Sequence, residues 1–330
     1  MNNEIIRVSN VSRIFKIKPR RNVFQIQKNK SKERVKNIVA VDDVSFSVMA
    51  GERLALIGPN GAGKSTTLKM LIGILYPSAG NVTVMEYIPW KRRQSLAKHI
   101  GVLFGQKSQL WYHLTPIDNF ELFCQIYRIN PHNSQNRIEY LINKFGVSDY
   151  LRTPVRKLSL GQRMRCELVA TLLHSPKILI LDEPTIGLDV LVKLQLRDTI
   201  IEISEKENTT ILLASHDAND IEMICTRVLV MDKGRLHFDG SLEDLKSSIV
   251  QTRQVVVKVN QPIEFAPVIT GVKVLQKNLY DLTLEIDLTV TQIDKVINEI
   301  LSSHSVIDLL INMPSMENII RQIYINTKGE

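Results

Sequence analysis

The 330-residue chain is 44% hydrophobic and 23% charged with a net charge of +8, the balance of an ordinary globular protein long enough for two domains. Nine Lys or Arg and one acid between Lys16 and Lys36 carry the whole excess, so the rest is neutral; this argues against a nucleic-acid binder, which shows a basic face across its domain. No apolar run approaches the roughly 18 residues of a membrane span, the start "MNNEIIRVSN" lacks a signal-peptide pattern, and three widely spaced cysteines (Cys124, Cys166, Cys225) form neither a disulfide frame nor a zinc spacing, which points to a reducing, cytosolic compartment.

In chain order, "IIRVSNVSRIF" and "VDDVSFSV" have the alternating, β-branched pattern of strands. "ERLALIGPN" is a nearly continuous apolar run ending in Gly, the pattern of a buried parallel strand. "GKSTTLKMLIGIL" then predicts a helix, with Leu68, Leu71, Ile72 and Leu75 on one face. Between that strand and that helix lies "GPNGAGKST", where Gly58, Gly63, Lys64 and Ser65 fill the phosphate-loop spacing. The glycines let the backbone curl so that several N–H groups face a phosphate. Lys64 suits a bridge between β- and γ-phosphates, and Ser65 a Mg²⁺ ligand. Asn60 and Gly61 shape the loop, and Thr66 lies within reach of the α-phosphate.

Further along, "KLSLGQRMRCE" places a Ser and a Gly before a predicted helix, a second anion site about a hundred residues from the first. "KILILDEP" and "TTILLASH" predict two more buried strands, separated by the amphipathic "DVLVKLQLRDTIIEIS". Asp182 ends the first of these, where an unpaired carboxylate is costly and a bound Mg²⁺ satisfies it. Glu183 follows on another side, placed to polarise an attacking water as a general base; alone it would read as a solvated acid at a strand end. "RVLVMDKGRLHFDG" predicts a hairpin turning at Lys233-Gly234. Strands alternating with helices imply an α/β sheet with ligands at the carboxyl ends of its strands.

Beyond about residue 245 the glycine loops stop. "QVVVKVN", "GVKVLQ", "YDLTLEID" and "VIDLLIN" are strand-like, and "TQIDKVINEILSS" carries a helical apolar stripe through Ile293, Val296, Ile297, Ile300 and Leu301. A last short helix in "SMENIIRQIY" has Ser315 as its cap. Residues 246–330 are thus expected to form a small α+β domain of ferredoxin-like type, with no catalytic constellation of its own.

"GPNGAGKST", "LSLGQ", "LILDEPTIGLD" and "LLASH", in this order, resemble the ATP-binding subunits of ABC transporters over roughly residues 4 to 245. The resemblance implies a P-loop NTPase of the ABC ATPase type in residues 1–245. That fold carries an antiparallel β subdomain and a helical subdomain at about 107–175, and here also a basic insertion at 16–38. It implies ATP and Mg²⁺, with the metal on Ser65, Gln106 and Asp182. It makes Gln106 the Q-loop residue, Glu183 the catalytic base and His216 the switch histidine; a lone His after a strand would otherwise read as a surface or capping residue. Asp189 falls in the D-loop.

The resemblance also accounts for the second phosphate loop. Two chains of such ATPases pack head to tail, and each ATP lies between one chain's P-loop and the other chain's signature loop, here Ser159, Gly161 and Gln162. Most members read LSGGQ, and this chain has Leu160. The adenine base is expected on Phe15, with Phe24 the runner-up and a core role for Phe15 the bland alternative. The resemblance implies a second ATPase chain, expected as a homodimer, and the lack of spans implies a separate permease and a peripheral place on the cytoplasmic face of the membrane. "GILYPSAGNVTV", "VLFGQKSQLWYHLTPIDNFELF" and the C-terminal extension resemble ABC-2-type exporters, with Trp111 and Tyr112 either lining the permease groove or lying in the core. The basic run 16–36 reads as a solvated loop, an attraction to anionic lipid, or a short helix in "SKERVKNI" at the permease mouth. A soluble ABC ATPase acting on a non-transport macromolecular partner is the alternative; a second cassette or a long coiled coil would favour it, and neither is present. A small-molecule kinase would have no use for "LSLGQ".

Overall fold

The computed structural model describes residues 3–17, 36–104, 108–249, 252–263, 269–312, 316–317 and 319–320. The elements run β1 (Glu4–Ile17), β2 (Lys36–Met49), β3 (Arg53–Ile57), α1 (Lys64–Leu71), β4 (Ala79–Val84), α2 (Arg93–Ala97), β5 (Ile100–Phe104), α3 (Pro116–Ile126), α4 (Pro131–Phe145), α5 (Leu160–Leu172), β6 (Ile178–Asp182), α6 (Val190–Glu207), β7 (Thr210–Ala214), α7 (Ala218–Ile224), β8 (Arg227–Asp232) and β9 (Arg235–Ser241). They continue with α8 (Leu242–Ile249), β10 (Thr252–Val259), β11 (Val272–Lys277), β12 (Asp281–Asp287), α9 (Ile293–Ser303) and β13 (Val306–Asn312). The chain divides into two compact units, Met1–Gly240 and Ser241–Glu330.

In the first unit a six-stranded sheet has the order β5-β6-β7-β3-β8-β9. Pairing from β5 to β8 is parallel. These strands are buried on both faces, which explains runs such as "ILILD" with no polar alternation. β9 returns beside β8 through Lys233 and Gly234, whose φ angles of 46° and 85° are both positive, as a two-residue type I′ hairpin turn requires. A second sheet, β2-β1-β4, is antiparallel. Val8, Val41, Val44 and Val82 of this sheet share one core with Leu54, Ile180, Leu212 and Leu229 of the other and with Leu68 and Leu71 of α1.

Helix α1 is shorter than its apolar stripe suggests. It ends at Leu71 with Ile72 as cap, and Gly73 takes a left-handed φ of 73°. Ile72 and Leu75 still pack against the core, from the loop. Helices α3, α4 and α5 form the helical part; α3 opens on a reciprocal capping box between Thr115 and Asp118.

The second unit has the antiparallel order β11-β12-β10-β13. With α9 joining β12 to β13, this is the strand order of a ferredoxin-like sheet; no helix occurs between β10 and β11 among the described residues. Alternation along β12 buries Leu282, Leu284 and Ile286 beside Val255, Val257, Val296 and Ile300. Ser315 lies outside the described residues, while Met316, Glu317, Ile319 and Ile320 are helical.

Candidate nucleotide site

Sheet order builds the site. The loop Gly58–Gly63 leaves the carboxyl end of β3, Asp182 and Glu183 leave β6, and Ser215 and His216 leave β7, which lies between those two strands. The phosphate-binding loop and the acidic pair are therefore separated by one strand, and the histidine emerges in that gap.

Close packing forces the glycines of the loop. A Cβ at Gly58 would stand 2.0 Å from the Met231 carbonyl oxygen, and one at Gly63 would stand 2.5 Å from that of Ala40. Gly63 caps α1 with φ of 105°, and neither a side-chain cap nor an acidic residue occupies the first turn. The first N–H groups of α1 are left for an anion, with the helix dipole favouring it. The hairpin turn braces the loop from behind: Gly234 N–H donates to Ala62 O at 3.1 Å, and Asp42 N–H donates to Gly234 O at 2.8 Å.

Lys64 is buried and donates to the carbonyls of Gly58 (2.5 Å) and Pro59 (3.1 Å). Burial lowers its ammonium pKa, with Glu183 and Asp182 opposing. Burial raises the carboxyl of Asp182, against Lys64, Lys69 and a hydrogen bond from the Ser65 hydroxyl. Glu183 is raised first by burial, against a hydrogen bond from the His216 backbone N–H and with Asp182 adding to the rise. The His216 pKa is lowered by burial and then by Lys64, so its imidazole is neutral at pH 7. Its Nε2 stands 3.7 Å from Glu183 Oε1.

The backbone of Glu183 has φ of 55°, a left-handed conformation that a non-glycine residue adopts at a cost. Its N–H still donates to Ala214 O at 2.8 Å, extending the β6–β7 pairing by one bond, and the left-handed φ turns the chain immediately afterwards. The two adjacent acids are thereby aimed differently: Asp182 at the Ser65 hydroxyl and Glu183 toward His216.

The ABC transporter family matches residues 41–186. NatA, an ABC transporter ATP-binding protein of Bacillus subtilis, is 35% identical over 66% of this chain and 87% of its own length. The chain belongs to the ATP-binding proteins of ABC transporters. LnrL, the linearmycin resistance ATP-binding protein of the same organism, is 28% identical over 88% of this chain and 93% of its own. Among solved structures, an ATP-binding subunit of an ABC transporter superposes with a TM-score of 0.61 at 25% identity, over 74% of this chain and 92% of that one. The chain is accordingly an ATPase with the fold of an ATP-binding cassette.

In this cassette the signature residues are already occupied locally. The Ser159 hydroxyl accepts from Gln162 N–H at 3.2 Å, and Gln162 Oε1 accepts from Ser159 N–H at 3.0 Å, a capping box at the start of α5. Asp189 caps α6 by a single bond, accepting from Val192 N–H at 3.0 Å. Phe15 is half-buried and carries the Arg13 guanidinium 4.7 Å above its ring, so it is no core residue. Asn60 and Gly61 are exposed on the loop and Thr66 is half-buried one residue after Ser65. Gln106, Phe24 and most of the basic run lie outside the described residues. Trp111 and Tyr112 are 58% and 44% exposed; Tyr112 OH accepts from Arg163 at 3.3 Å, and the buried Asn119 pins the Trp111 backbone at 2.7 Å.

Two groups around the site escape sequence reading. Buried Asp220 accepts from Thr185 Oγ1 (2.5 Å), Ser215 Oγ (3.1 Å) and Arg197 Nε (2.6 Å), while Asp217 pairs with Lys193 at 2.6 Å. This network clamps the residues on both sides of His216 to the loop that follows Glu183. Buried Glu167 of α5 accepts from the Ser108 hydroxyl and from Gln109 N–H (3.2 Å), anchoring the chain two residues past Gln106. Neither Asp220 nor Glu167 stands in a recognisable motif; each is an acid within a helical apolar stretch, and only long-range pairing gives it a partner.

Proposed function

We propose that this cassette hydrolyses ATP as a head-to-tail dimer and powers transport, in the outward direction, through a separate membrane permease. The observation that carries the shared site is Gly161. Its φ is not left-handed, and a Cβ there would meet Val192 and Leu188 only at 3.7–4.0 Å, ordinary contact distances. Among the described residues nothing beside Gly161 needs glycine, and its bare backbone leaves the exposed start of α5 open to close approach by another molecule. A phosphate held at the other chain's P-loop is such a molecule.

In this reading the N–H groups at the start of α1 and Lys64 hold the β- and γ-phosphates, with Asn60, Gly61 and Thr66 completing the loop and Phe15 beneath the base. Glu183 polarises the attacking water, and its raised pKa brings it nearer to neutrality as a base. Neutral His216 donates toward the γ-phosphate beside it. The Ser65 hydroxyl and the Asp182 carboxylate, already adjacent, suit a small hard cation, and Gln106 would join them. Bound there, Mg²⁺ would neutralise phosphate charge. Ser159, Gly161, Gln162 and Asp189 act across the dimer interface.

No helix among the described residues is long and apolar enough to cross a membrane, which supports a separate permease and a peripheral place at the cytoplasmic face. The exposure of Trp111 and Tyr112 supports their lining the permease groove. Likeness to a linearmycin resistance protein supports export over import. The basic run at 16–36 is assigned to the membrane surface on its charge alone. Mixing chains tests the shared site. Lys64→Ala removes one half of a site and Ser159→Arg the other, so each homodimer is dead. A mixed dimer keeps one intact site and regains up to about half of the activity. No rescue, with mixed dimers shown by cross-linking, would refute the reading.

A further inference from the structure

Leu160 is the first residue of α5, directly after the capping Ser159. A Cβ built on Gly187 would come within 2.7 Å of the Leu160 Cδ2 atom. The Leu160 side chain thus fills the space over the backbone of the turn that links Glu183 to α6. Gly187 takes φ of 73° in that turn, and the turn's own backbone bonds are long: Ile186 N–H to Glu183 O at 3.4 Å and Leu188 N–H to Thr185 O at 3.2 Å. One side of the turn is held by Thr185 on buried Asp220. The other side is held by Leu160. Helix α5 also touches α6, where Arg165 donates to Gln195 at 2.8 Å.

A glycine at 160 would leave that second side open, because among the described residues, chain neighbours aside, no other atom lies within 4 Å of the place where a Gly187 side chain would stand. With Leu160 present, a displacement of the start of α5 is passed by direct contact to the turn, and the turn begins at the strained backbone of Glu183. We propose that Leu160 is a positioning residue that locks the signature loop to the D-loop of its own chain. It makes the placement of Glu183 depend on what the start of α5 has bound. The inference rests on the head-to-tail reading: the phosphate met by Ser159 and Gly161 belongs to one nucleotide, and the water polarised by Glu183 attacks the other. Leu160 is then a mechanical link between the two sites of the dimer.

Steady-state ATPase kinetics of the full chain test this, with Leu160→Gly, Leu160→Ala, Leu160→Met and Gly187→Ala compared alone and Leu160→Gly combined with Gly187→Ala. Leu160→Gly, which restores the commoner signature, is expected to lower kcat about fivefold or more while moving KM less than about twofold. Leu160→Ala repeats the effect without the helix cost of glycine, and Leu160→Met keeps kcat within about twofold because its chain can still cover the turn. Gly187→Ala lowers kcat, and by a smaller factor when residue 160 is glycine, because the methyl it would meet is gone. Wild-type or higher kcat in both Leu160→Gly and Leu160→Ala, or an equal cost of Gly187→Ala in both backgrounds, overturns the proposal. ATP-dependent dimerisation of the Glu183→Gln chain separates the two readings. Without that dimer the head-to-tail reading fails; with it, unchanged turnover in the Leu160 variants refutes the positioning role alone.

Discussion

Replacing Gly161 with Ala should make the protein more stable and much less active. Gly161 is the second residue of α5, with an ordinary helical backbone. Ala there gains about 0.5–1 kcal/mol over Gly from the reduced freedom of the unfolded chain. The added methyl would lie 3.7 Å from both Val192 Cγ atoms and 4.0 Å from Leu188 Cδ2, contacts that add packing without displacement. For a unit of this size, about 1 kcal/mol moves the melting temperature by about 2–4 °C. Across the interface the same methyl keeps a phosphate away from the backbone N–H groups at the start of α5. Loss of one such donor set costs about 10²-fold in turnover. The assays are thermal unfolding of the nucleotide-free protein and phosphate release at saturating ATP. A melting temperature that rises with turnover unchanged would show that no phosphate approaches Gly161. A melting temperature that falls by several degrees would refute the packing estimate.

Asp220→Ala should cost about 3 kcal/mol in urea unfolding, because Arg197, 5% exposed, loses its fully buried partner and keeps only the longer pair with Asp217 at 3.3 Å. Thr185 and Ser215 lose their acceptor as well, so ATPase activity should fall even below the denaturation midpoint. Glu167→Gln should change the pH dependence of stability. Burial raises the Glu167 carboxyl pKa above 4.5, against hydrogen bonds from Ser108 and Gln109, so between 4.5 and the raised value the folded state binds more protons than the unfolded one. Its contribution is therefore present at low pH and is lost as pH rises through the folded pKa. The Gln variant should lose less stability across that window than wild type, as measured by unfolding at a series of pH values; parallel curves would remove Glu167 as the cause.

Much of the cassette is legible from local pattern alone. "LALIG" before "GKST" requires a strand, a phosphate loop and a helix, and the lysine-glycine turn at 233–234 requires a hairpin. What escapes is set by pairing between distant segments. The hairpin turn is readable, but its hydrogen bond to Ala62, and so its bracing of the phosphate loop, depends on β8 lying next to β3. His216 gains its meaning from β7 lying between β6 and β3, a sheet order that no local period encodes. Ser159 and Gln162 show the opposite case. Their S-x-x-Q spacing is a capping box in the folded chain as well as a signature, so the two roles overlap in one string and only Gly161 tells them apart. The α1 stripe misleads because Ile72 and Leu75 reach the core from a loop once Gly73 has ended the helix.

The left-handed backbone of Glu183 makes this position a record of use. A carboxylate held at φ of 55° costs stability in every molecule, active or not. Glycine or asparagine would take the same turn with less strain. A descendant of this chain that no longer needed to split ATP would gain by drifting to either residue. On the proposal that Glu183 polarises the attacking water, glutamate kept at this position despite its strain would mark a working copy, and glycine or asparagine there a retired one.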